Sequence, residues 1–281
     1  MTDVLVYAVT SRAQTARAVL GAACQATGLG VRLELHGSGS LSQRLGPRRA
    51  QPFPDVVLWF GAYAAQAAAI DGLLQAHQPS RVSDAAAHHP NWLWTTLDYS
   101  AIGVTGAPAV AGLEDLLSVP RLAVADPERS EAGLSILLAT LDRARQVEAD
   151  PERGWAWWQQ RVARGVALAE DEAEAVGMVA AVDASHALTL AETASPLSGL
   201  PLIPHAVGLA AGSRNVDAAR RLLDWLTGEA AAVSVRLSPW QAGVQSLLSA
   251  VPQLDVEWGR QQYTPVRRRW AQSGFAPSLP R

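Results

Sequence analysis

Four small residues, Gly37-Ser38-Gly39-Ser40, stand where a strand-like run, VRLELH (31–36), gives way to the amphipathic stretch SLSQRL (40–45). Glycine tolerates positive φ and serine caps helices, so the run can be a turn and nothing more. It can also hold an anion. Amides at a helix start point outward, the macrodipole adds partial positive charge, and serine hydroxyls donate further hydrogen bonds. Ser11-Arg12 repeats the theme after the first strand-like run, setting a capping hydroxyl beside a guanidinium that can grip an oxyanion with two N–H groups. Ser130, at the head of a long helical pattern, is a further capping hydroxyl. Trp59-Phe60 close another strand-like run. Strand side chains alternate, so one ring faces inward and the other can cover an organic ligand. Every one of these residues also has a plain structural use, as cap, surface arginine or core aromatic.

The elements that must position them read as α/β. VLVYAV (4–9) is strand-like, SRAQTARAVLGAACQATG (11–28) is helical with Ser11 as N-cap and Gly28 as stop, and VRLELHG is a second strand. A short helix ends near Gly46-Pro47, PDVVLWFG (54–61) is a third strand, and a third helix follows. This βαβαβα order predicts a parallel, doubly wound sheet, in which ligands sit at the carboxyl ends of the strands. Those ends are Val9-Thr10-Ser11, His36-Gly37-Ser38 and Trp59-Phe60-Gly61. Further on, RLAVADPERSEAGLSILLATLDRARQ (121–146) reads as strand, loop and a helix starting near Ser130, and GWAWWQQRVARG (154–165) as a helix whose tryptophans pack it on a sheet. A strand lies within 174–190, and 202–228 gives strand, turn and amphipathic helix; the tail from about 236 reads as helix fragments and loop.

Composition narrows the chemistry. The chain has 281 residues, 49% hydrophobic and 17% charged, enough for one large or two medium domains. A net charge of −3 gives no electrostatic footprint for nucleic acid. All 23 basic residues are arginine, which excludes a P-loop lysine and lysine Schiff-base chemistry. Cys24 is the sole cysteine, so no intramolecular disulfide or Cys-based zinc site forms. No apolar run is long enough to span a membrane. No GxSxG elbow or GxGxxG turn follows the first strand, which speaks against a hydrolase or a dinucleotide enzyme. His77, Asp84, His88 and His89 could meet a divalent metal, but adjacent loop histidines are usually solvated and no metal site is assigned to them.

The order LVYAVTS, HGSGSL, PDVVLWFGA, LAVADPERSEAG, GWAWW, VGMVAAVDAS and HAVGLAAGSRNVDAARRLLDWLTGE resembles the substrate-binding proteins of ABC importers. The likeness is to the class that carries ferric iron, 2-aminoethylphosphonate and similar small anions. It implies a two-lobed, type II periplasmic-binding-protein-like α/β fold with a ligand cleft between lobes. Lobe 1 would be 1–98 and 204–281, and lobe 2 would be 99–203. It implies a non-enzymatic monomer without cofactor, which delivers a small anionic or zwitterionic solute to a membrane permease and binds no nucleic acid. It further implies a periplasmic or extracellular place with a signal peptide removed, although the opening strand-like run would equally suit a cytoplasmic chain. By position, the implied ligand-contacting residues are Ser11, Arg12, Ser38, Gly39, Ser40, Trp59, Phe60, Ser130 and Asp183, the last expected after the final strand of lobe 2. Asp183 would favour a solute carrying both charges. Iron-binding members use neighbouring tyrosines where this chain has AAVDASHAL, and Tyr7, Tyr63, Tyr99 and Tyr263 are all separate. A ferric or other metal cargo, a regulator's effector-binding domain and an α/β enzyme are the alternatives.

Overall fold

The structure is a computed structural model that describes residues 3–37, 44–45, 53–80, 82, 88–107, 110–190, 195–228 and 254–274; at 11, 59, 60, 195 and 196 it describes the backbone alone. The chain divides into two compact units, Met1–Tyr99 with Pro204–Ser246, and Ser100–Ile203 with Leu247–Arg281.

In the first unit, β1 (Val4–Val9) lies between β2 (Val31–His36) and β3 (Val56–Gly61) and pairs with both in parallel. Leu5 and Val9 are nearly, and Val4, Val6 and Ala8 wholly, buried, as an apolar run in a sheet covered on both faces requires. β11 (Ile203–Ala210) runs antiparallel to β3, and β4 (Leu74–Gln75) and β5 (Thr95–Ser100) pair with β11. Helix α1 (Ala13–Thr27) ends at Gly28, whose φ of 68° is the left-handed conformation that glycine adopts without penalty. Its start differs from expectation. Thr10–Arg12 form a 3-10 turn and Arg12 is the N-cap residue, so Ser11 sits inside the turn. Helix α2 (Ala62–Ile70) follows β3 directly. The short helix expected over 40–45 lies largely outside the described residues.

Asp55 ties this unit together. Its Oδ2 accepts from Leu5 N (2.8 Å) and Asn215 Nδ2 (3.1 Å). Its Oδ1 accepts from the Ser213 hydroxyl (2.7 Å) and from the amides of Arg214 (3.1 Å) and Asn215 (3.2 Å). These bonds link β1 to the start of α6 (Val216–Gly228). Burial alone would raise the Asp55 pKa, but the donors favour the charged form and the net shift is downward.

In the second unit, β7 (Leu122–Ala125) is flanked in parallel by β8 (Val166–Ala169) and β9 (His186–Thr189). β6 (Gly103–Gly106) and β10 (Ser195–Pro196) continue the sheet antiparallel. Helix α3 (Glu131–Glu148) lies so close to β7 that a Cβ on Gly133 would stand 2.0 Å from the Ala125 carbonyl oxygen. Helices α4 (Glu152–Ala163) and α5 (Glu172–Ala180) follow. Among the described residues of the tail, 254–274, the chain forms a 17-residue helix, α7 (Val256–Gln272). Asp255 caps it by accepting from Trp258 N, and it continues through Pro265, which on sequence alone reads as a breaker. Trp158 of α4 meets Trp270 of α7 edge-on at 5.5 Å, and Trp157 donates to the Leu113 carbonyl. The tryptophans thus join α4 to α7 and to a loop, beyond the helix-on-sheet packing expected.

Asp55→Ala should cost about 3 kcal/mol or more in urea unfolding at pH 7, because it strands buried donors. Since folding depresses the Asp55 pKa, its contribution is complete above the unfolded value of 3.8 and is lost as pH falls through the folded value. Asp55→Asn should therefore flatten the stability profile below about pH 4. Gly133→Ala should destabilise by about 1–3 kcal/mol through overpacking against β7.

Candidate functional site

In each unit the parallel strands deliver loops to one edge of the sheet. In the first unit this edge holds the 3-10 turn after β1, His36 at the end of β2, Gly61 at the end of β3, and His205, which lies opposite Gly61 in the register. Arg12 is 8% exposed there. Its Nη1 stands 3.5 Å from Oδ2 of Asp98 on β5, itself 6% exposed. His205 is buried beside them. Desolvation and then the Arg12 charge hold its pKa well below 6.5, so the ring is neutral. His36 packs edge-on against Tyr7 at 4.3 Å. Its pKa is lowered by burial and by Arg44, against an opposing effect of Glu34. Among the described residues, the edge therefore presents a buried cation, a buried carboxylate and two imidazoles held below their usual pKa.

In the second unit the corresponding edge follows β7. Asp126-Pro127-Glu128-Arg129-Ser130 turns into α3, and the buried Ser130 is its N-cap, accepting from Gly133 N at 3.3 Å. Arg129 pairs with Glu170, just beyond β8, at 3.1 Å.

The expected site residues are distributed as follows. Arg12 is at the carboxyl edge of the first sheet, with the backbones of Ser11, Trp59 and Phe60. Ser38, Gly39 and Ser40 lie outside the described residues. Ser130 is at the carboxyl edge of the second sheet. Asp183 is not where it was expected. It is exposed in the turn between α5 and β9, ahead of the strand and at the opposite end of the sheet from Ser130. Helix α5 ends at Ala180, and the chain turns through Val182, at φ 63°, instead of starting a helix at VDAS. Sequence reasoning singled out neither Asp98 nor His205. An Asp inside TTLDYS reads as an interruption of an apolar strand, and that interruption was the available signal. Among the described residues, no group of three or more His, Cys, Asp or Glu could hold a metal ion. Tyr7 and Tyr63 are buried in the first unit and Tyr263 belongs to the second.

This fold, with loops gathered at the carboxyl edges of two sheets, is that of a two-lobed solute-binding protein. Residues 4–233 match the family model described as bacterial extracellular solute-binding protein, and the chain belongs to that family, one of substrate-binding transport proteins. No individually curated protein matches the sequence. Among solved structures, it is similar to the periplasmic binding protein AfuA from Actinobacillus pleuropneumoniae with fructose-6-phosphate bound (TM-score 0.74, 13% identity, 97% of each chain covered). It is also similar to the apo ferric ion-binding protein A of Pasteurella haemolytica (0.74, 14%, all of each chain). A periplasmic thiamin binding protein gives 0.72 at 19% identity, covering 99% of this chain and 96% of that one. At such identities the likeness establishes the fold.

His205 supplies a pH test. Its folded pKa lies below 6.5, so the unfolded state binds the extra proton as the medium acidifies, and stability falls from about pH 6.5 toward the folded pKa. His205→Gln should reduce this loss, measured as the urea midpoint at pH 7.5 against pH 5.

Proposed function

We propose that the protein is the solute-binding component of an ABC importer and captures a small anionic or zwitterionic solute. The carrying observation is the buried Arg12–Asp98 pair at the carboxyl edge of the first unit. A cation kept out of water at a sheet's ligand edge is an anion receptor, and its neighbouring carboxylate suits an ammonium group on the same solute. Ser11 and the Ser38-Gly39-Ser40 run would add donors, and a ring from Trp59-Phe60 would cover the organic part. Ser130 and its turn are the second unit's donor set. Asp183 has no part in this reading.

Family membership supports delivery to a membrane permease and a periplasmic or extracellular place. Of the solutes bound or carried by the similar proteins, fructose-6-phosphate is the kind that the Arg12 edge suits. Ferric iron suits it less, because the tyrosines are dispersed and hard Fe³⁺ calls for phenolates or several carboxylates. The chain is expected to act as a monomer.

A thermal-shift panel of phosphate, 2-aminoethylphosphonate, sulfate, molybdate, simple carboxylates, fructose 6-phosphate, thiamin and Fe³⁺ tests the reading. A ligand at 100 times its Kd adds about 2.7 kcal/mol to stability. A phosphorus-containing anion or zwitterion should give the largest shift, and Arg12→Lys, which keeps the charge and loses the planar fork, should weaken it about tenfold. Asp98→Asn should weaken 2-aminoethylphosphonate more than phosphate. A shift given by Fe³⁺ alone, or one indifferent to Arg12→Lys, would sink the reading.

A further inference from the structure

The turn that starts α3 is gripped by the last helix of the chain. Two side chains of α7, three residues apart, reach it. Arg267 donates from Nε to the Glu128 carbonyl at 2.8 Å. Trp270, wholly buried, donates from Nε1 to Asp126 Oδ1 at 3.2 Å.

Asp126 is the hub of the turn. The same Oδ1 accepts from Glu128 N at 2.9 Å. Its carbonyl accepts from Arg129 N at 3.0 Å and Ser130 N at 2.7 Å, and its own amide donates to Ala169 of β8 at 2.8 Å. The helix is anchored on its other contacts as well. Asp142, fully buried on α3, accepts from Arg145 and from Asp255 N, and Arg145 also reaches Asp255 at 2.8 Å. Arg269 pairs with Glu152 of α4. The Trp270 N–H therefore comes from a braced element and meets the one carboxylate oxygen that shapes the turn.

We infer that α7 is the positioning element for the second unit's solute-contacting turn, with Trp270 as its positioning residue. The indole N–H fixes the Asp126 carboxylate, which holds the Glu128 amide, and with Asp126 fixed its carbonyl holds the amides of Arg129 and Ser130 ahead of the Ser130 cap. Helix α7 lies beyond residue 233, where the family match ends. This inference rests on the reading of the Ser130 turn as solute-contacting, and its test separates the two.

Trp270→Phe in the full chain keeps most of the ring packing and removes only the N–H. Amide hydrogen exchange at Glu128, Arg129 and Ser130, measured without solute, should rise at least about tenfold, as expected for losing a hydrogen bond to a charged group. Exchange inside α3 should not change, and affinity for the probe, inorganic phosphate, should fall about tenfold. Asp126→Asn, which keeps an Oδ1 acceptor, should preserve slow exchange, whereas Asp126→Ala should not. Val266→Ala should lower stability without either effect. Unchanged turn exchange in both Trp270→Phe and Asp126→Ala would overturn the positioning role. If Ser130→Ala leaves phosphate affinity intact, or the unaltered chain does not bind phosphate, the solute link falls and exchange alone decides whether α7 holds the turn.

Discussion

Keeping the Arg12 guanidinium out of water is the constraint on which the first unit's polar edge depends. Desolvating a cation costs several kcal/mol unless a counter-charge and hydrogen bonds replace its water. Asp98 on β5 supplies the charge at 3.5 Å, and the buried imidazole of His205 answers by staying neutral. Each group makes sense only with the others present. Asp98 and His205 lie on paired neighbouring strands, β5 and β11, and Arg12 comes from the turn that follows β1. Asp55, at the amino end of β3, does comparable work at the far edge, where five donors fix a carboxylate without any cation.

The second unit solves its positioning problem with aromatic and arginine side chains. Arg161, fully buried on α4, donates to the carbonyls of Leu116, Val119 and Gly165, which pins the loop before β7. Burial lowers its pKa, yet a guanidinium remains charged at any ordinary pH. Trp158 donates to Thr140 on α3 and meets Trp270 on α7, so three helices share one seam. The turn at Asp126–Ser130 sits at the end of that seam. A chain whose basic residues are all arginine suits this construction, because a planar fork can reach several carbonyls that an ammonium would meet only singly.

Much of the fold was legible in the sequence because it follows from period and punctuation. The alternation of VLVYAV, an amphipathic helix closed by Gly28, and VRLELH leads to parallel β1 and β2, and their register bears this out. The helix beginning at Ser130 was legible from its cap. The tail was not, because α7 owes its continuity through Pro265 to packing on α3, which no local pattern records. Asp183 was misplaced because AAVDAS has the composition of either a helix start or a tight turn, and only the strand order decides. Asp98 and His205 are far apart in sequence, and their meeting depends on pairing between distant strands. The Gly37–Ser40 question with which the sequence opened lies, beyond Gly37, outside the described residues.

The most direct measurement of the central claim is a 15N spectrum of the arginine side chains, followed through a titration with 2-aminoethylphosphonate and with phosphate. With no lysine in the chain, arginine accounts for every cationic side chain other than histidine. A buried guanidinium beside a carboxylate should give a sharp, slowly exchanging Nε–H signal, assigned through Arg12→Lys. The account predicts that this signal shifts saturably as the solute binds, while the signal of Arg161 stays in place. A saturable change elsewhere in the spectrum with the Arg12 signal unmoved would contradict it, and Arg12–Asp98 would then be a structural ion pair.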